Sequence, residues 1–522
     1  MLGLLTRRSF LALATSGLVL SARSKEPVRL GEAALFSWDD LVRRAKEMAQ
    51  QPFVEGPPVA PRTVAEIEYK LHQQISQPVG QGLYALGPGE CPVTFFHLGR
   101  LFPKPVRIHA LVDGVAREVL YNKDAFHYPP GHPAEQMPEG AGFAGFRIHD
   151  PWDPAHTREP GDWLAFLGAS YFRTRGDLHQ YGISARGIAI NTANPEPPFT
   201  EEFPSFRAFW IEPVRNGRGR IFAFLDGPSI TGAYRFEITR EPNITMDVTC
   251  ALNLRRDVVR FGIAPLTSMF FYGKINRFIG GDWRPAVHDS EGLAIWNGRG
   301  EQIWRPLNNP PRVIVSTFED ENPKGFGLLQ RERAFDAFQD GGRNFERRPH
   351  LWVQPLGPWG HGSVQLLEMP THSEFEDNIG AFWVPNEPAK SGMSHEFRYR
   401  LHWSAGEHFP PGLARCIGTR MANPWNTDVP GYTRARHVVL DFEGDSLSQL
   451  DVKTCRMDVT FGTGGGLIED SLEPHPSGMP TRWRTLLTVG TRGSEPVKAR
   501  LVLRSGDRSI SETWLAQLYP HV

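Results

Sequence analysis

The sequence predicts an all-β protein, and three features carry that expectation. The first is composition: 52 glycines and 45 prolines among 522 residues, a density of turn-formers that suits many short strands better than long helices. The second is periodicity. From about residue 80, short runs alternate apolar and polar side chains, as in Val106–Val112 and Tyr234–Ile238. Strict alternation is what a half-buried strand requires. The third is the lack of any 20–50-residue internal repeat, which argues against a solenoid or propeller. Together they predict a large β-sandwich followed by a smaller one.

The chain opens with a targeting pattern. Arg7 and Arg8 stand inside Thr6-Arg7-Arg8-Ser9-Phe10-Leu11, and an apolar run continues to Leu20. Paired arginines before a short apolar run read as a twin-arginine export signal. Ala22-Arg23-Ser24 offers a small-x-small cleavage site, so residues 1–24 are excluded from the fold. Export by this route implies the bacterial periplasm. The apolar run is too short to span a bilayer, and no later stretch approaches that length.

Two helices follow. Ser37 with Asp40 reads as a capping box, and Trp38, Leu41, Val42, Ala45, Met48 and Ala49 fall at helical spacing. This predicts a helix over about 38–50, ended by the Pro-rich stretch 52–61. Thr63 with Glu66 reads as a second capping box, with Val64, Ile67, Leu71 and Ile75 on one face. Strands dominate thereafter, up to a run at 396–404. The stretch 405–414 reads as a linker. The remaining segment, 415–522, has strands near 437–443, 483–489, 498–504 and 512–518, the size of one immunoglobulin-like sandwich. The large domain is then 25–404.

Charge and cysteine usage exclude several functions. The net charge is −1, so nothing marks a nucleic-acid or anionic-membrane partner. Cys91, Cys250, Cys416 and Cys455 form no Cys-x-x-Cys pair, which gives neither a zinc nor a redox motif. In an exported protein a Cys416–Cys455 bridge is allowed by their common region. His288, His350, His361 and His372 lack ligand spacing, so no catalytic metal is expected. Gly462-Thr463-Gly464-Gly465-Gly466 has no following Lys-Ser/Thr and reads as a hairpin turn rather than a phosphate loop. No Gly-x-Ser-x-Gly nucleophile motif occurs.

Two acidic stretches stand out. One is His288-Asp289-Ser290-Glu291-Gly292-Leu293, followed by Trp304-Arg305-Pro306-Leu307-Asn308-Asn309. The other is Glu374-Phe375-Glu376-Asp377-Asn378-Ile379. Two carboxyls facing each other among aromatic rings and planar donors are what glycosidic-bond chemistry needs. Asp377 stands among other carboxyls, and such a cluster favours the protonated form of one member. Asp289 sits in a polar knot within an apolar pattern, where an Asx-turn is the competing role. Tyr171, Arg173, Arg186, Trp304, Arg305, Trp352, Trp359 and Trp383 are candidate sugar contacts, since rings stack on glucose faces and guanidinium forks satisfy paired hydroxyls. About half of these eight are expected in a cleft and the rest in the core.

A family resemblance rests on longer motifs. These are Gly168-Ala169-Ser170-Tyr171-Phe172-Arg173, Tyr181-Gly182-Ile183-Ser184-Ala185-Arg186-Gly187, Glu202-Phe203-Pro204, Phe209-Trp210-Ile211-Glu212, Ala264-Pro265-Leu266-Thr267-Ser268-Met269-Phe270, Gly325-Phe326-Gly327-Leu328-Leu329-Gln330 and the two acidic stretches. From about residue 36 to the C-terminus the chain resembles the osmoregulated periplasmic glucan biosynthesis family, proteins G and D. The twin-arginine signal is similar to the D type. The resemblance implies a galactose-mutarotase-like sandwich, then an immunoglobulin-like one. It implies action on β-1,2-glucan chains, with no cofactor implied; a membrane glucan glucosyltransferase is a further candidate partner. It implies inverting hydrolysis or transglycosylation, with Asp377 as the acid and Asp289 as its partner. Glu374 and His288 are implied near the substrate. The competing expectation is a non-catalytic glucan-binding scaffold for the glucosyltransferase. A sugar mutarotase is a third reading, on fold analogy alone.

Overall fold

The computed structural model describes residues 28–519 except 86–88, 152–158, 195, 241–242, 424–429 and 449. The expected export signal lies outside the described residues. The protein is nearly all β, as the sequence predicts. A sixteen-stranded sheet and a ten-stranded sheet carry most of the chain, joined by a four-stranded and a two-stranded sheet.

The centre of the large sheet is a long antiparallel meander. Strands Arg218–Asp226, Ile230–Thr239, Ile244–Leu254 and Ser394–Ser404 pair in sequence order across the sheet. Their inward positions alternate, as in Tyr234, Phe236 and Ile238 or Met246, Val248, Cys250 and Leu252. Those side chains meet Phe146, Phe166, Phe172, Ile263, Leu366 and Trp383 of the ten-stranded sheet in one core. Period-two alternation puts one set of side chains inward, and burial of that set is what holds two sheets together.

The helix Trp38–Ala49 covers part of the outer face of the large sheet. Ser37 caps it, its Oγ accepting from the Asp40 N–H at 3.1 Å. Leu41 and Ala45 pack against Leu111, Trp210, Phe222 and Phe224. Thr231 donates its hydroxyl to the Ala45 carbonyl at 2.7 Å, tying the helix to the sheet. The second helix differs from its expected start. It runs Pro61–Glu66, with Ala60 in the left-handed region at φ 39° and no side-chain cap. Pro61 at the first helical position pre-sets φ and needs no N–H, so Thr63 is not the cap. A separate turn of helix spans Tyr69–His72.

The large sheet continues into the C-terminal segment. Gln302–Pro306 pairs in parallel with Thr513–Leu518, matching Ile303 with Thr513 and Trp304 with Trp514. Val497–Ser505 and Cys455–Phe461 extend the sheet beyond it. The four-stranded sheet Arg415–Ala422, Arg434–Glu443, Arg482–Thr491 and Gly465–Pro474 packs over them around a second core that includes Val438, Phe442, Leu487, Leu501 and Trp514. Gly462–Gly466 is therefore not a hairpin turn. It carries the chain from Cys455–Phe461 in one sheet to Gly465–Pro474 in the other. A Cβ on Gly465 would lie 2.3 Å from Val497 Cγ1, and one on Gly466 would lie 2.1 Å from the Tyr432 hydroxyl. Close packing at this corner, not a phosphate, accounts for the glycines. All four cysteines are free, so Cys416 and Cys455 are not bridged. Among the described residues no helix is long and apolar enough to cross a membrane, and no cluster of metal-ligating side chains occurs.

Candidate active site

A cleft of about 770 Å³ opens on the ten-stranded sheet, within the range of small-molecule binding pockets. Tyr171, Arg173 and Arg186 line it together for a reason visible in the strand register. Tyr171 lies directly opposite Arg186 in an antiparallel pair, and Arg173 is two residues along the same strand. Opposed residues and i, i+2 neighbours share one face of a sheet. The Arg186 guanidinium stands 5.3 Å from the Tyr171 ring centroid and 4.5 Å from that of Phe203. Arg173 stands 4.7 Å from the Tyr181 ring, whose hydroxyl donates to Asp162 at 2.7 Å. Arg173 and Arg186 are themselves buried at 6% and 4% exposure.

Asp377 also lines this cleft and is half-buried. Its position is fixed by the next residue. Asn378 is buried and donates its side-chain amide to the Phe270 and Met369 carbonyls, each at 2.9 Å. Its Oδ1 accepts from the Phe270 N–H at 2.8 Å. The preceding loop is pinned as well. Asn309 donates to the Thr371 carbonyl at 2.8 Å and accepts from the Thr371 N–H at 2.9 Å.

The second acidic stretch reaches the same backbone segment from its other flank. Ser268 pairs with Ile379, while Phe270 pairs with His288. The Asp289 N–H donates to the Met269 carbonyl at 2.8 Å, and the Ser268 and Ser290 hydroxyls bond at 2.7 Å. The two aspartates, 88 positions apart in sequence, thus flank Ser268–Phe270. They differ in access. Asp289 is 3% exposed, is absent from the cleft lining, and is ion-paired with the fully buried Arg348. Gly182 makes room for that arginine, since a Cβ there would lie 2.9 Å from Arg348 Cβ. His288 is buried beside it. Desolvation pushes its pKa down to about 4, against the hydrogen bond of its Nδ1 to Gln330 at 2.9 Å. It is therefore a neutral structural residue rather than a charged contact. Glu374, three residues before Asp377 and expected near the substrate, is not among the residues lining the cleft and is paired with Arg284 at 2.6 Å and Arg343 at 3.3 Å.

The other expected sugar contacts are core residues. Trp304 and Trp352 are each 2% exposed and belong to the core beneath the C-terminal sandwich. Trp304 carries the Arg331 guanidinium 3.6 Å from its ring centroid. Trp383 is fully buried and packs on Trp359, 6.0 Å between centroids. A Cβ on Gly362 would fall 2.4 Å from the Trp383 ring. Arg305 is paired with Glu368 at 2.8 Å, and both side chains are buried. That pair joins strand Gln302–Pro306 of the large sheet to strand His361–Glu368 of the ten-stranded sheet. All five lie outside the cleft: burial of the large apolar rings stabilises the fold, and the buried Arg305 charge is tolerated because Glu368 compensates it.

The family model described as "Periplasmic glucan biosynthesis protein, MdoG" matches residues 36–518. The chain belongs to the periplasmic glucan biosynthesis family. "Glucans biosynthesis protein D 2" of Ralstonia nicotianae is 45% identical over 99% of this chain and 98% of that protein. "Glucans biosynthesis protein D" of Stenotrophomonas maltophilia is 40% identical over 94% of this chain and 91% of that protein. A solved polysaccharide lyase covers 72% of this chain and is covered over 44% of its own, at 8% identity and a TM-score of 0.21, too low to carry an argument.

Several residues of this family member's cleft escape sequence reasoning. Glu201 lines it, and burial raises its carboxyl pKa against the opposing charge of Arg186. Phe203, Arg100, Lys104 and Arg207 also line it. The Glu202-Phe203-Pro204 motif pointed to the right neighbourhood. Nothing in the sequence singled out Asn378 or Arg348, whose roles depend on contacts across 108 and 59 residues.

Proposed function

We propose that this protein remodels the backbone of β-1,2-linked periplasmic glucans by an inverting displacement at an anomeric carbon. The observation that carries the reading is Asp377 in a cleft beside Tyr171, Arg173 and Arg186. A carboxyl, two guanidinium forks and an aromatic ring are the groups that hold and protonate a glycosidic bond. Asp377 gives its proton to the leaving oxygen as the anomeric C–O bond breaks. A water or sugar hydroxyl attacks from the opposite face and forms the new C–O bond. Its proton passes to Asp289, which stands behind the cleft wall, so that transfer runs through intervening hydroxyls or water. Tyr171, Arg173 and Arg186 hold sugar rings, and Glu374 holds the loop that carries Asp377. No cofactor takes part.

The family description is periplasmic, and we propose that Arg7 and Arg8 direct export by the twin-arginine route. Changing both to Lys should leave the protein in the cytoplasm; normal periplasmic levels would contradict this. We propose a division into 25–404 and 415–522, joined at 405–414; most of the second core comes from the C-terminal segment, although Ala294, Trp304, Leu329 and Trp352 also enter it. A glucan-binding scaffold that assists a membrane glucosyltransferase is favoured by one observation, the burial of Asp289. Incubating the purified protein with linear β-1,2-glucan separates the two. The enzyme reading expects shortened or cyclised chains, and unchanged chains would leave the scaffold.

A further inference from the structure

The loop that carries Asp377 also carries an exposed ring. Phe375 is 46% exposed, and Arg343 stands 5.4 Å from its centroid. A second ring, Trp283, is 69% exposed, with the Arg284 guanidinium 5.9 Å from its centroid. Both arginines bond Glu374, Arg284 at 2.6 Å and Arg343 at 3.3 Å. Arg284 is held further by Asp282 at 2.6 Å and Asp340 at 3.0 Å, and Tyr272 donates to Asp282 at 2.9 Å. The two rings thus belong to one ion-paired block that begins three residues from Asp377.

Such an arrangement is costly unless something uses it. A tryptophan with most of its surface in water forgoes the burial that drives folding. Here it stands between Asp282 and Arg284, whose charge-assisted bonds hold the backbone that presents the ring outward. Two guanidiniums against three carboxylates leave the block with a formal charge of only −1, because most of its charges are compensated within it, which gives little field to select an ionic partner. Rings to stack on and forked donors and acceptors beside them suit an uncharged polyhydroxy ligand.

We propose that Trp283 and Phe375 form a glucan subsite outside the cleft, stacking on sugar rings of the chain beyond those held at Asp377. This rests on the glucan reading above. A chain acted on in its interior emerges from the cleft, and a platform next to the acid loop holds that emerging part. The subsite serves long chains and is empty when a short one is bound, so it sets chain-length preference.

The test uses the full-length protein and linear β-1,2-glucans of graded length. Binding is measured by calorimetry in an Asp377→Asn background, and KM and kcat in the active protein. Trp283→Ala and Phe375→Ala should each weaken binding and raise KM for long chains by about tenfold, the scale of one lost ring contact. Short oligosaccharides should bind as before, kcat should be unchanged, and Trp283→Phe should restore most of the affinity. Parent-like affinity for long chains in both alanine variants, with the parent binding normally, would overturn the subsite alone. An equal loss for short and long chains would overturn it too, since that marks a disturbed cleft. Failure of the parent itself to bind any β-1,2-glucan would overturn the functional reading and the subsite with it.

Discussion

Glu201 shows how a single residue in the cleft reports on its surroundings. Burial raises its carboxyl pKa, and the Arg186 charge only partly offsets this. Between its ordinary value and the raised one, the folded state holds a proton that the unfolded state has released. Folding stability therefore falls as pH rises through that window. Glu201→Gln removes the titration, so the variant should melt at a higher temperature than the parent at pH 7, with the difference shrinking toward pH 4. Equal melting temperatures at pH 7 would contradict it. The tryptophans teach the opposite lesson at this scale. Trp304, Trp352, Trp359 and Trp383 fit a sugar-binding composition, yet each is buried. A ring has the same chemistry in a core and in a cleft, and only tertiary contacts distinguish the two. Tyr171, Arg173 and Arg186 were legible only as sugar-contact types within longer motifs, and the strand pairing that puts them on one face is seen in the structure.

At the scale of elements, the Asp377 loop is held by side chains acting as backbone partners. Asn378 satisfies three buried backbone groups, two on Phe270 and one on Met369. Asn378→Ala leaves them without that partner, at about 1–3 kcal/mol for each group left buried and unsatisfied. The variant should lose stability on that scale and also lose turnover, because Asp377 shifts with the loop. Thermal melts and kcat check this; retained stability and full turnover would show that the loop does not depend on Asn378. Strands were legible because alternation is local: the segments expected near 106–112, 396–404 and 498–504 appear as Arg107–Val112, Ser394–Ser404 and Val497–Ser505. The second helix start was misplaced because Pro61 outweighed Thr63. The glycine-rich turn was misread because a two-residue hairpin and a sheet-to-sheet corner ask for the same residues.

On the scale of the molecule, acid sensitivity follows from three buried histidines. Burial pushes His97, His149 and His288 down to about 4 from an ordinary 6.5. Between these values the unfolded state binds protons that the folded state refuses, so stability falls as pH drops from 6.5 toward 4. The melting temperature should decline across that interval, and His288→Asn should flatten part of the slope. A constant melting temperature from pH 6.5 to 4.5 would contradict it. The all-β class was legible from composition and alternation, but the sheet that runs unbroken into the C-terminal segment was not. The Trp304–Trp514 pairing joins residues 210 positions apart, and no local pattern encodes such a contact.

We propose that Asp377 supplies the proton in a glucan-cleaving or glucan-transferring cleft. Turnover of linear β-1,2-glucan by Asp377→Asn, measured beside its glucan affinity, tests this most directly. The substitution keeps shape and removes the acid, so kcat should fall by about 10²–10⁴-fold. Binding should stay close to that of the parent, because Tyr171, Arg173 and Arg186 remain. Near-normal turnover in Asp377→Asn, with the parent active on the same glucan, would contradict the claim.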